Sequence, residues 1–149
     1  MKKITFLKTF IQTRWLHNFK SREALENYQK KQLAAYMDFL KRESPYFKNG
    51  VPHDFDHMDK AFMMTHFNEL NTQGVDRDEA LALAIESEKT RNFTELKGEI
   101  AVGLSSGTSG HRGLFITTEK ERSMWASAIL AKMLPKGHLF GHRIAFFLR

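Results

Sequence analysis

The chain contains no cysteine among its 149 residues. A disulfide framework, a thiolate zinc site and a cysteine nucleophile are thereby excluded. With only 3 prolines and 9 glycines, it shows no collagen-like or disordered bias, and no internal repeat or low-complexity segment is visible. No run approaches the roughly 18 uncharged apolar residues that a membrane span requires. Acid is missing from one place. The first 22 residues carry Lys2, Lys3, Lys8, Arg14, Lys20 and Arg22 and neither Asp nor Glu.

The rest of the composition is that of a globular chain. It is 42% hydrophobic and 12% aromatic, too apolar for disorder and long enough to bury one core. That length suits one domain or a piece of a larger one. The formal net charge is +6. Residues 23–149 hold 17 Lys and Arg against 17 Asp and Glu, so the excess falls on an arm, residues 1–22. A basic arm contacts phosphate or an anionic membrane surface, or it is a solvated helix face, the common fate of charge runs. Ile4, Leu7, Ile11 and Trp15 recur at helical spacing and predict an amphipathic helix docked on the chain's own core, with a membrane-surface role as the lesser reading. Lys8 interrupts the apolar stretch and no small-residue cleavage site follows, unlike a signal peptide. A cytoplasmic location is expected, which leaves the sequon-like Asn92-Phe93-Thr94 without meaning.

Helix signals dominate the first hundred residues. Ser21 is placed to cap a helix running to about Glu43, with an apolar stripe of Leu25, Tyr28, Leu33, Tyr36 and Leu40 and a stop at Ser44-Pro45. Residues 44–58 read as a loop. Asp59 and Asp76 read as caps of two further helices, separated by the breaker Asn71-Thr72-Gln73-Gly74. The character changes near Gly98. Ile100, Val102 and Leu104 alternate as a strand, and Leu114–Thr117 reads as a second one. Thr118-Glu119-Lys120-Glu121 is a capping-box sequence for a helix carrying Trp125, Ala128, Ile129 and Met133, which stops at Pro135-Lys136-Gly137. Ile144–Leu148 suits a buried strand. Such a strand needs neighbours that no later residue supplies, so a chain cut within a sheet is expected. The expected class is α/β: a helical N-terminal region, then the start of a layered sheet-and-helix domain over residues 23–149.

Between the two strands lies Ser105-Ser106-Gly107-Thr108-Ser109-Gly110-His111-Arg112-Gly113. Glycines allow successive backbone N–H groups to converge on an anionic oxygen, hydroxyls add donors, and Arg112 adds charge. The same composition also describes an ordinary flexible hairpin loop. The Walker A and dinucleotide-fold fingerprints both fail on spacing. Gly103-Leu104-Ser105-Ser106-Gly107 fits G-x-S-x-G, which would make Ser105 a serine-hydrolase nucleophile with His138 or His142 as base and Glu119 or Glu121 as acid. An elbow demands strand, turn and helix, however, and here a second strand follows.

Ser105 to Gly110 resembles the phosphate-binding loop of the adenylate-forming superfamily, the acyl-CoA synthetases and their relatives. The lead-in through Ser44-Pro45-Tyr46-Phe47 and from Met63-Met64 to Asn71-Thr72 is similar to the branch of phenylacetate–coenzyme A ligase and coenzyme-F-synthetase-like proteins. The likeness spans roughly Gln29 to Leu148. It implies a ligase that uses ATP and Mg to activate a carboxylic acid as an acyl-adenylate, with possible transfer to coenzyme A. It further implies that Ser105, Ser106, Gly107, Thr108, Ser109, Gly110, Arg112 and Gly113 hold the ATP phosphates. The family's Lys-Pro after the loop is replaced by His111-Arg112. Its adenine-binding motifs and catalytic lysine would fall past residue 149, so the resemblance implies an N-terminal portion, inactive alone. Two other classes compete: a binding module using the arm on nucleic acid or membrane, which the neutral body disfavours, and the serine hydrolase. Nucleic acid and an integral membrane segment are not expected. His53, Asp54, Asp56 and His57 form a conceivable metal cluster but read better as solvated loop residues. Thirteen Phe and seven Met read as core filling.

Overall fold

The computed structural model describes residues 2–48, 58–107, 112–143 and 145. It is a helix-rich α/β chain with a small antiparallel sheet. The expected strand at Ile144–Leu148 lies outside the described residues, apart from Ala145, which is not in a strand. Two compact units form, one from Phe19–Glu119 and one from Met1–Asn18 with Lys120–Arg149.

The Phe19–Glu119 unit starts with α2 (Arg22–Glu43), following α1 (Lys2–Ile11) of the other unit. The Ser21 side chain accepts the Ala24 N–H and caps it, one of the donors a helix start leaves open. Of the expected stripe only Leu40 is buried; Leu33 and Tyr36 are exposed. A heptad-like stripe identifies a helix but not a covering partner, and among the described residues no element of this unit covers its middle. Residues 44–58 do not begin as a loop. Pro45–Lys48 forms the short α3, because proline ends the preceding helix yet suits the first turn of a new one. Ser44 is fully buried at the junction and donates to the Glu69 carbonyl at 3.0 Å. Asp59 caps α4 (Lys60–Thr65) by accepting the Phe62 N–H. The chain pauses at His66 before α5 (Phe67–Leu70).

Asn71 breaks the helix by outcompeting it for backbone partners. Its Oδ1 accepts the N–H groups of Gln73 and Val75, and its Nδ2 donates to the carbonyls of Phe67 and Val75. Asp76 then accepts from the N–H groups of Asp78 and Glu79, capping α6 (Arg77–Thr90). β1 (Ile100–Leu104) and β2 (Leu114–Thr118) pair antiparallel, with Val102 opposite Ile116 and Leu104 opposite Leu114. The core is Phe67, Val75, Ala80, Ala84, Leu96, Ile100 and Leu114, so α6 packs flat on the hairpin through its alanines.

In the other unit, α1 (Lys2–Ile11) runs into a π-helical turn, Gln12–Leu16. α7 is Glu119–Met133. Phe10 is buried, and Ser127 donates to the Phe6 carbonyl at 2.6 Å. Arg14 donates to the carbonyls of Ala131 and Leu134, both at 2.9 Å, capping the C-terminal end of α7. Both expected apolar faces are corrected. Ile4, Leu7, Ile11 and Trp15 are exposed, as are Trp125 and Met133, while Ser127 and Ala131 are buried. Small residues allow close helix approach, and they are what hydropathy patterns rank low.

Phe67→Ala should cost about 3–5 kcal/mol, since a core ring leaves a cavity, while Ile4→Ser should stay within about 0.5 kcal/mol. Denaturant unfolding measures both. A large loss from Ile4→Ser would mean that another surface covers this side chain.

Candidate functional site: the β1–β2 loop

The loop is pinched shut at its base. Ser105 N–H donates to the Gly113 carbonyl and Gly113 N–H donates to Ser105 Oγ, both at 2.8 Å. This two-bond clasp follows the last strand pair, Leu104–Leu114. Beyond it Ser106 is exposed and Gly107 takes a left-handed backbone, φ 71°, a conformation side chains disfavour. A Cβ at Gly107 would also lie 2.8 Å from Arg112 Cγ. Thr108, Ser109, Gly110 and His111 lie outside the described residues.

Arg112 is not a loose cation. Its Nε donates to the Ser105 carbonyl at 3.2 Å, and its guanidinium pairs with the Glu88 carboxylate on α6. The pair holds the Glu88 carboxyl below the usual glutamate range, chiefly through the Arg112 hydrogen bond, and raises the Arg112 guanidinium in turn. Both side chains are nearly half exposed, so water screens the pair and it ties the loop to α6 without strong stabilisation. Glu88 is the residue that sequence reasoning missed. It stands 24 positions before Arg112, and only the packing of α6 on the hairpin brings the two together.

Gly103 has a packing reason of its own. A Cβ there would fall 2.3 Å from the ring of Phe115, its cross-strand partner. The glycine expected to open a nucleophile elbow is therefore the floor under an aromatic ring. Ser105 leads into a hairpin rather than a helix, and its hydroxyl accepts the Gly113 N–H. His142 contacts the His138 carbonyl, and the Glu119 N–H donates to the Glu99 carbonyl. No described hydrogen bond links Ser105 to a base.

Beside the clasp opens a cleft of about 460 Å³ whose lining includes Lys60, Met63, Met64, Phe67, Leu114 and Phe115. Met64 reaches the strand itself, its Sδ accepting the Leu114 N–H at 3.3 Å. The lining is mostly apolar with a few polar groups, Lys60, Asn71 and Ser105 among them, the mixture found in clefts for small ligands. Among the described residues no cluster of three or more His, Asp or Glu could hold a metal, and His53, Asp54, Asp56 and His57 lie outside them. Among the described residues, too, no helix is long and apolar enough to cross a membrane.

Comparison with protein-family models, curated proteins and solved structures finds no match for this chain.

The Glu88–Arg112 pair generates a pH prediction. The folded pKa of Glu88 is depressed, so its contribution is present above the free-carboxyl pKa and lost as pH falls through the folded value. Glu88→Gln should therefore lower Tm at neutral pH, with a gap to the parent that closes as pH falls below the ordinary glutamate range. Thermal unfolding across that range checks it. A gap independent of pH would assign the effect to packing.

Proposed function

We propose that the β1–β2 loop is the phosphate-binding loop of an ATP-dependent adenylate-forming ligase, of which this chain supplies the N-terminal portion. The observation that carries the reading is the clasped, glycine-bearing hairpin. A Ser-Gly-Thr-Ser-Gly segment is held at its base by Ser105 and Gly113, with Gly107 in a backbone state that favours glycine. Such a loop starts out ordered at its base, so less entropy is lost when it closes on phosphate.

On this reading each residue has a limited task. Gly107, Gly110 and Gly113 let the backbone come close. Ser106, Thr108 and Ser109 offer hydroxyl donors, and Ser105 sets the loop's width. Arg112 contributes its charge from a position fixed by Glu88. Mg-ATP supplies the activated α-phosphorus and the pyrophosphate leaving group. The protein's part is to position those phosphates and to neutralise charge on the leaving group. The organic acid and the acceptor, coenzyme A or another nucleophile, are set by residues other than these.

The test is ATP–pyrophosphate exchange over a panel of carboxylic acids in the full-length enzyme, together with titration of Mg-ATP into this chain. Gly107→Val should abolish exchange and erase the ATP-induced amide shifts of Ser105 and Gly113. Thr108→Val should cost at most about a hundred- to thousand-fold, the effect of losing one donor to a developing charge. Ser105→Ala should weaken ATP binding modestly. Normal exchange in Gly107→Val would sink the assignment, and an ATP-independent esterase activity abolished by Ser105→Ala would transfer it to a hydrolase.

A further inference from the structure

The sum over residues 23–149 conceals a segregation that the fold makes visible. The unit formed by residues 1–18 and 120–149 carries ten Lys and Arg and a single acid, Glu121. The Phe19–Glu119 unit carries thirteen basic and sixteen acidic residues. One unit thus holds a formal excess of nine positive charges and the other a deficit of three. The arm is not the whole basic region. The cations of α7 and the residues after it belong to the same unit.

That unit also leaves an apolar face open. Ile4 is 75% exposed, Leu7 59% and Ile11 39%. A rotation of about 100° per residue places these three on one face of α1, with Lys3 and Lys8 on its two flanks. Trp15 and Leu16 follow, 53% and 66% exposed. Beside Trp15 a cleft of about 410 Å³ lies between the π-helical turn and the end of α7, and Lys132 and Lys136 line it. Arg14 lines it too, held there by the carbonyls of Ala131 and Leu134.

We propose that this unit docks on an anionic phospholipid surface. The Ile4–Leu7–Ile11 face and Trp15 enter the acyl–headgroup boundary, and Lys3, Lys8, Lys132 and Lys136 meet lipid phosphates. A helix lying in an interface needs an aliphatic or aromatic face bordered by cations, and Trp favours the boundary itself. The charge decides the lipid class, because each interfacial cation gains from an anionic leaflet and nothing from a neutral one. The aliphatic face decides between lipid and nucleic acid. Nucleic acid would use the cations and a stacking ring but has no use for Ile4, Leu7 and Ile11. This inference is independent of the hairpin loop and of any nucleotide chemistry there.

Vesicle flotation with the 149-residue chain tests it. Phosphatidylcholine vesicles are compared with vesicles in which about 30% is phosphatidylserine, at rising salt. The chain should float only with the anionic vesicles, and less so as salt rises. Leu7→Ser/Ile11→Ser should reduce binding at least about tenfold, because the apolar face no longer inserts. Lys132→Gln/Lys136→Gln should reduce it about 25-fold, roughly fivefold per lysine. Every altered side chain is exposed, and circular dichroism checks that the helices are retained. In a Trp125→Phe background, the emission of Trp15 should shift blue on the anionic vesicles. Equal flotation with both vesicles overturns the proposal, as does flotation with neither, which would mean that another protein segment covers the face. Loss in the lysine variant alone, with Leu7→Ser/Ile11→Ser unimpaired and an oligonucleotide competing fully, overturns it in favour of nucleic acid.

Discussion

The Phe19–Glu119 unit depends on how closely α6 approaches the hairpin. Ala80 and Ala84 are buried at 0% and 2% exposure, and Ser87, also buried, continues their stripe. Residues at i, i+4 and i+7 form one helix face, and here that face is built of the smallest side chains available. Ile100 and Leu114 of the strands and Val75 before the helix fill the space this leaves. A larger residue at position 80 or 84 would lift the helix from the sheet and cost packing all along the contact. The same approach sets Glu88, one residue past Ser87, against Arg112. The apolar stripe and the ion pair are therefore two ends of one contact, and the loop inherits its anchor from the core.

What the sequence revealed was local. Ser21, Asp59 and Asp76 were readable as caps because a capping side chain bonds a backbone N–H within three residues of itself. The breaker at Asn71 was readable for the same reason, since its amide engages Phe67, Gln73 and Val75 nearby. The strands followed from alternation, and they pair with each other across the loop between them. What stayed hidden was which face of a helix is covered. Trp125 and Met133 carry the stronger apolar signal on α7, yet Ser127 and Ala131 are the buried residues. Periodicity reports that a stripe exists. The partner that buries it comes from elsewhere in the chain.

The candidate site divides the same way. The glycines and hydroxyls between the strands were legible because they are unusual in composition and contiguous. The clasp was not, because Ser105 had two plausible tasks, phosphate donor and nucleophile, and neither predicts a bond to Gly113. The pairing of Arg112 was equally hidden, because a guanidinium in a loop, even one two residues before a strand, has many carboxylates to choose from. Charge shows the limit most plainly. Counted along the chain, residues 23–149 balance. Counted by the units into which they fold, they do not.

The clasp also bears on which chemistry Ser105 can support. A serine hydroxyl has one proton to donate and two lone pairs to accept with. Accepting the Gly113 N–H uses a lone pair and leaves the proton free for an anionic oxygen, so shaping the loop and touching a phosphate are compatible. A nucleophile needs more. Its proton must be taken by a base while a lone pair attacks. A backbone N–H bonded to that oxygen lowers its electron density and fixes its direction along the hairpin. The contact that the hydroxyl makes among the described residues is that of a structural clasp.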